Sequence, residues 1–293
     1  MNDELSHELL HFIDRIDWRS LIKSKQWLSG RHSSFRRGSS PEFKEFREHR
    51  SGEDVHLIDW KASARAKFPL VREKEHQGVL KQWIWIDNSA SMNFPATEFN
   101  KFRRLKMLGG ALLYLFQAIG DRFSVTFDSE RGPCLSPPTR GQQALQQHIA
   151  RLTHCEILDK PFSGDLLHEL KEHLHQPSAL WLLTDFDSDP TPLLAQLVQL
   201  KKFGHEIRVL HLYHPDEAEF PWRGPHVFVD AEGVFGDVAL QPELLRSAYI
   251  EQYQRHCQTL RSTCENGQLT YLAINVCDSP ETWIANLLAT LPA

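Results

Sequence analysis

The sequence predicts an α/β protein whose core is a mostly parallel β-sheet covered by helices on both faces. From Val79 onwards, apolar runs of strand length alternate with longer segments whose apolar residues recur at the helical period. Runs such as Trp83-Ile84-Trp85-Ile86 are apolar throughout, which is typical of strands buried on both faces. The chain has 293 residues, 41% of them hydrophobic and 24% charged, so a sizeable core is expected.

The region before this alternation is expected to form a separate module. Residues 1–30 predict one or two amphipathic helices, with Gly30 as a stop signal. The following segment is rich in charges and in loop-forming residues such as Gly38 and Pro41, which indicates an irregular or short-stranded structure. We therefore divide the chain into an N-terminal module, residues 1–78, and an α/β domain, residues 79–293.

The elements of the α/β domain follow from hydrophobic periodicity and from turn residues. Strands are expected at Val79–Asp87, Asp121–Asp128, Cys134–Ser136, Ala179–Asp185, Ile207–Tyr213 and Leu269–Val276. Helices are expected at Phe99–Ile119, Gly141–Leu152, Ser163–Leu174, Pro192–Phe203, Pro242–Arg261 and Pro280–Leu291. The strand before Pro137-Pro138 belongs at an edge, because proline cannot complete a central ladder.

Two of the predicted strands end in aspartate, and a candidate metal site follows from this. In an open α/β sheet, ligands bind beyond the carboxyl ends of the strands, where Asp87 and Asp185 are expected. Ser89 and Ser91 alternate with Asp87 in the loop that leaves the first strand, so a carboxylate and two hydroxyls can point the same way. Oxygen ligands of this kind suit Mg²⁺.

The residues around this loop suggest which of its carboxylates bind metal. We expect Asp87 to lie on a surface loop, where its carboxylate serves ligation and not core packing. Asp187 and Asp189 are expected to cap the following helix or to lie in solvent. An isolated D-x-S-x-S segment also occurs in ordinary turns, so its position after a buried strand is what favours a metal site.

The segment Asp87-Asn88-Ser89-Ala90-Ser91, followed further along by Thr184-Asp185, resembles the metal-ion-dependent adhesion site of von Willebrand factor A domains. The resemblance implies a von Willebrand factor A-like (Rossmann-like) fold and weak binding of Mg²⁺ or Mn²⁺. In that family a threonine from an intervening loop adds a ligand. Ser163 offers the hydroxyl at that place here, although a stricter alignment puts Gly164 there.

A second signature lies upstream, in Gly52 and then Ile58-Asp59-Trp60 through Ala64-Arg65. It resembles the bacterial domain-of-unknown-function family numbered 58, whose members carry this motif before an A-type domain. The resemblance covers roughly residues 28–205. On physical grounds we expect Trp60 to be buried and Asp59 to pair with Arg65 at a bend.

Members of that family are often encoded beside MoxR-type AAA+ ATPases. The resemblance therefore implies a non-enzymatic adaptor or chaperone-like protein that links such an ATPase to a client protein. The sequence contains no G-x-x-x-x-G-K-[ST] phosphate loop, so this chain is not expected to be the motor itself.

Two alternatives remain open. The segment His7-Glu8-Leu9-Leu10-His11 matches H-E-x-x-H, which favours a metal-dependent hydrolase, although no third ligand is evident nearby. The chain also fits a purely structural A-type domain with a vestigial metal loop, since the expected threonine is missing.

Composition and charge restrict the partners and the compartment. A net charge of -5 argues against a broad basic surface for nucleic acid. The most apolar helical segment, Met107–Ile119, is too short to span a bilayer, so no membrane insertion is expected. The polar, acidic N-terminus lacks the features of a signal peptide, and five cysteines without a C-x-x-C pair suit reduced thiols. We therefore expect a cytoplasmic protein.

Overall fold

The structure, a computed structural model, describes residues 41–48, 60–64, 66, 68–76, 79–162, 164–230 and 236–290. The described residues fall into two compact units, one ending at Val79 and one that includes the chain from Leu80 onwards. His7, His11, Asp59, Arg65 and Ser163 lie outside the described residues, so the predictions made for them stay predictions.

The described part of the N-terminal unit is built on a pair of antiparallel strands. Strand β1 (Pro41–Glu48) pairs with β2 (Leu70–His76), and the register shifts between Phe43 and Glu45. A single helical turn, α1 (Trp60–Ser63), precedes β2. The Ser63 hydroxyl accepts a hydrogen bond of 2.8 Å from the backbone N–H of Leu70, which fixes the start of β2 next to that turn.

The burial expected of Trp60 is wrong. Its side chain is 66% exposed, because the short helix α1 presents it to solvent. A single turn offers too little surface to cover an indole, so Trp60 contributes little apolar burial to this unit.

The second unit is an α/β domain, as predicted. Its strands are β3 (Lys81–Ile86), β4 (Arg122–Ser129), β5 (Gly132–Cys134), β6 (Ala179–Thr184), β7 (Glu206–Tyr213), β8 (His226–Phe228), β9 (Val238–Leu240) and β10 (Thr270–Asn275). Its helices are α2 (Lys101–Ile119), α3 (Gln142–Thr153), α4 (Asp165–Lys171), α5 (Thr191–Lys202), α6 (Pro215–Glu219), α7 (Pro242–Asn266) and α8 (Pro280–Thr290).

Among the described residues, six strands form one sheet in the order β10-β7-β6-β3-β4-β5. Every neighbouring pair is parallel except β4 and β5. Strand β3 is therefore central, and the only antiparallel strand lies at an edge. The carboxyl ends of β3 and β6 meet side by side, since Ile86 pairs with Leu183.

Helices cover both faces of this sheet. Trp83 and Trp85 point to the face covered by α4, α5 and α7, and they form its hydrophobic core with leucines of those helices. The opposite face packs against α2, where the rings of Phe116 and Trp181 lie 5.4 Å apart. Burial of the central strand on both faces explains why its sequence is apolar throughout.

Helix α2 packs closely against helix α3 at Gly109. A Cβ atom at this position would lie 3.3 Å from Cδ2 of Leu152 and 3.5 Å from Cδ1 of Ile86. The helix begins after Asn100, whose side chain accepts a hydrogen bond of 3.1 Å from the N–H of Arg103. It ends at Gly120, whose φ of 80° is the left-handed conformation that glycine adopts readily.

The short elements between β7 and α7 were not predicted. Helix α6 begins with a capping box, in which the N–H of His214 donates a bond of 2.7 Å to Oε2 of Glu217. Strands β8 and β9 form a separate antiparallel pair. None of the described helices is long and apolar enough to cross a membrane, and all five cysteines are free thiols.

Candidate functional site

The candidate site lies where β3 and β6 end side by side. The backbone N–H of Asp87 donates a bond of 2.9 Å to the carbonyl of Leu183, which extends the pairing by one residue beyond β3. Parallel pairing in this register places Asp87 beside Thr184 and one residue from Asp185. The sheet thus brings the two predicted carboxylates together at the same edge.

The loop after β3 folds back onto its own first residue. Oδ1 of Asp87 accepts bonds from the N–H of Ser89 at 2.9 Å and from its hydroxyl at 2.6 Å. The Ser89 and Ser91 hydroxyls are 3.0 Å apart, and the Ser91 hydroxyl donates a bond of 3.3 Å to Oδ1 of Asp185. The structure therefore joins four of the five predicted ligands, Asp87, Ser89, Ser91 and Asp185, in one continuous series of polar contacts at hydrogen-bond distance.

The expectation that Asp87 lies on a surface loop is wrong. Its side chain is completely buried, and Ser89, Ser91 and Asp185 are also buried. The loop continues into a short 3₁₀ turn, Ala90–Asn93, whose residues Ala90, Ser91 and Met92 are buried as well. The carboxylate of Asp87 is therefore part of the packed interior, where it needs hydrogen-bond partners because burial of an unpartnered charge costs free energy.

Thr184 is a member of this site that sequence reasoning did not single out. Its hydroxyl donates a bond of 2.5 Å to Oδ2 of Asp87, the oxygen that the loop serine leaves free. Both oxygens of Asp87 are consequently held, one from its own loop and one from the neighbouring strand. Its place directly before Asp185 at the end of a predicted strand was the available signal.

Lys101 and Glu217 were also missed. The ammonium of Lys101 lies 2.7 Å from Oδ2 of Asp185 and 2.6 Å from Oε1 of Glu217, and its side chain is buried. Lys101 is the first residue of α2, and Glu217 lies in α6. No sequence pattern linked these two residues, because they come from different elements far apart in the chain.

The two aspartates have opposite electrostatic environments. Burial, reinforced by the nearby charge of Asp185, raises the pKa of Asp87 to about 7, although hydrogen bonds from Ser89 and Thr184 oppose the rise. Burial acts in the same direction on Asp185, but the Lys101 ammonium outweighs it and holds the pKa of that carboxyl below its usual range. For Lys101, its two carboxylate partners overcome burial and raise its pKa.

A cavity of about 480 Å³ borders the site. Ser91, Gly164, Thr184, Asp185 and Asp187 are among the residues that line it. Asp187 is exposed, and Asp189 accepts a bond of 3.0 Å from the N–H of Thr191 at the start of α5. These two residues thus behave as expected, one in solvent and one as a helix cap.

The donor set fits a small hard cation. It offers two carboxylates and two hydroxyls that already converge, and the adjacent cavity has room for water or for a further ligand. Within the described ranges, no three His, Cys, Asp or Glu side chains come together as metal ligands. Gly164, which the stricter alignment puts at the threonine position, lines the cavity and has no side chain to offer. Ser163, the predicted ligand at this place, lies outside the described residues, so that prediction stays a prediction.

A family comparison matches residues 45–259, and its family is described as a protein of unknown function, DUF58. The chain belongs to the DUF58 family. The match begins within β1 and includes β2 and most of the α/β domain, with all four clustered residues. This confirms the family that the upstream signature resembled.

Relatives of this DUF58 protein include an uncharacterised protein of Mycobacterium tuberculosis, Rv1480. The two are 26% identical over 266 residues, which cover 89% of this chain and 82% of the relative.

The solved structures to which this chain is similar include two from Bacteroides species. BatB from Bacteroides thetaiotaomicron has a TM-score of 0.49 at 13% identity, with 72% of this chain and 97% of that chain covered. An aerotolerance-related membrane protein from Bacteroides fragilis has a TM-score of 0.45 at 15% identity, with 72% and 100% covered.

Proposed function

We propose that this chain is a non-enzymatic adaptor whose von Willebrand factor A-like domain binds a protein partner through a divalent metal. The observation that carries the proposal is the series of polar contacts that joins Asp87, Ser89, Ser91 and Asp185 beside a cavity. A central strand that ends in a D-x-S-x-S loop, within a sheet whose single antiparallel strand is at an edge, supports the A-type assignment.

The role of each residue follows from its chemistry. Asp87 and Asp185 supply negative charge, while Ser89 and Ser91 supply neutral oxygens, a combination that suits Mg²⁺ or Mn²⁺ at low affinity. Bound there, the ion supplies a positive charge with coordination positions left for an external acidic side chain. Because Ser91 and Asp185 line the cavity, a partner's Asp or Glu reaches the site from that side.

The partner that we propose is a MoxR-type AAA+ ATPase, acting in the cytoplasm on a client protein. The family resemblance supports this pairing, and the chain itself has no phosphate loop. Energy for remodelling a client then comes from the ATPase, and this chain provides the connection.

Metal binding is tested first. Calorimetric titration with Mn²⁺ and Mg²⁺ should give measurable heat for the wild type and none for Asp87→Asn, whereas Asp187→Asn should bind as the wild type does. Asp187 is the matched control, since it is an exposed aspartate beside the same cavity. Equal binding by wild type and Asp87→Asn would leave the A domain as a structural unit with a vestigial loop.

Partner binding is tested with a purified, nucleotide-free MoxR-type ATPase. Affinity should be higher in Mn²⁺ than in chelator and should fall in Ser89→Ala. It should also resist added salt, because direct ligation is less screened than exposed ion pairs. Equal affinity in chelator and in metal would place the partner surface elsewhere.

A further inference from the structure

A buried lysine ammonium occupies one side of the candidate metal site. Lys101 contacts Asp185 and Glu217 at hydrogen-bond distance, and its side chain is 2% exposed. As the first residue of α2, Lys101 lies at the end of a helix where positive charge is disfavoured. Burial at such a place is costly for a lysine, so its two carboxylate partners are needed to hold it there.

Asp185 divides its two oxygens between different partners. Oδ1 accepts the bond from Ser91 in the candidate metal loop, while Oδ2 accepts the bond from Lys101. Asp185 also lies between two cavities, the one of about 480 Å³ that Ser91 lines and one of about 250 Å³ that Lys101 and Glu217 line. The lysine thus holds a different oxygen of Asp185 from the one that the metal loop contacts.

We propose that Lys101 is a resident cation that keeps the divalent-metal affinity of this site low. It does so by holding one oxygen of Asp185 and by opposing a second positive charge placed nearby. The inference rests on the proposed metal-dependent function. Charges in a buried site interact more strongly than on the surface and are little screened by salt, so one ammonium has a large effect on a divalent ion.

Glu217 opposes this effect. It shares the ammonium of Lys101 with Asp185, so it withdraws part of the positive charge from the metal ligand. Loss of Glu217 leaves Lys101 paired with Asp185 alone, and this weakens metal binding. Neutral replacement of the lysine and of the glutamate therefore changes the affinity in opposite directions, whereas a purely structural ion pair predicts that both replacements weaken it.

The experiment titrates Mn²⁺ into the full chain by calorimetry and checks folding by circular dichroism. Lys101→Met should bind on the order of tenfold more tightly than the wild type. Glu217→Gln should bind several-fold more weakly. The matched control is Lys106→Met, since Lys106 is also a buried lysine of α2 but donates to the Thr153 carbonyl, away from the site. This control should bind as the wild type does.

The double variant Lys101→Met/Glu217→Gln keeps the summed charge of the three side chains and leaves no unpaired glutamate. The double variant therefore replaces Lys101→Met in the titration if the single variant does not fold. Tighter binding than wild type by Lys101→Met or by the double variant supports the proposal. Equal or weaker binding by either of these two, once shown to be folded, overturns it while the wild-type signal stands. If the wild type and all variants bind no Mn²⁺, the proposed function fails as well.

Discussion

The hydroxyl of Thr184 lies 2.5 Å from Oδ2 of Asp87 and donates a hydrogen bond to it across the two neighbouring strands. Asp87 cannot leave this position without breaking bonds to both its own loop and strand β6. The carboxylate is therefore preorganised, with its orientation set by the sheet and not by the loop alone. Preorganisation of this kind lowers the cost of binding an ion, because the ligand does not have to be ordered first.

Substitution of Asp87 should separate metal binding from stability. Asp87→Ala removes the acceptor of the buried donors from Ser89 and Thr184, so it should lower the free energy of unfolding by about 1–3 kcal/mol and abolish metal binding. Asp87→Asn keeps an acceptor oxygen and removes a buried charge, so it should lose metal binding with a smaller change in stability. Urea denaturation of both variants measures this, and equal destabilisation by the two would contradict it.

Thr184→Val should destabilise the domain by about 1–3 kcal/mol, because it removes a buried donor to a carboxylate at nearly constant volume. The matched control is Thr126→Val on strand β4, which lies on the other side of β3 in the same sheet. Thr126 is fully buried, and its hydroxyl has no hydrogen-bond partner within the part of the chain that the structure describes. The control should be neutral or stabilising in urea titrations. Similar losses of stability in the two variants would show that the hydrogen bond from Thr184 to Asp87 does not account for the effect.

Stability should fall on acidification through His148, which is 3% exposed in helix α3. Burial, reinforced by Arg151, lowers the pKa of His148 to about 4. The unfolded chain then binds the extra proton at higher pH, near its ordinary pKa of about 6.5. The stabilisation is complete above that pH and is lost between about pH 6.5 and pH 4, by on the order of 3 kcal/mol in all.

The measurement compares urea midpoints of wild type and His148→Gln from pH 7 to pH 4.5. The variant should lose less stability over this range, because it cannot take up the proton. Parallel curves for the two proteins would mean that other groups cause the whole acid response.

Trp60→Ala should leave the stability of the chain within about 0.5 kcal/mol, since the side chain is 66% exposed. Trp83→Ala should instead cost ~3–5 kcal/mol, because this indole is 1% exposed in the core beside the sheet. Thermal unfolding of the two variants tests the contrast. A large loss of stability in Trp60→Ala would instead indicate that Trp60 is buried, as the sequence motif suggested.

The sequence by itself determined the sheet and most of its helices. Strand β3 was predicted because a strand buried on both faces is apolar throughout. Helix α2 was predicted because its buried face repeats apolar residues at the helical period. Asp87 and Asp185 were placed at one edge for a topological reason, since parallel strands end on the same side. The family was likewise readable from the motif around Trp60, although the burial of that residue was not.

The tertiary structure alone decided the depth and the charge of the site. Asp87 is buried, and the loop after it continues into a buried 3₁₀ turn. This turn is too short to show a periodic pattern of apolar residues in the sequence. The contact of Lys101 with Asp185 and Glu217 joins residues whose separation along the chain says nothing about their distance in space. The strands β8 and β9 were too short, at three residues each, to show a pattern. Periodicity records which face of an element is buried, whereas an ion pair between elements arises only when the whole chain has packed.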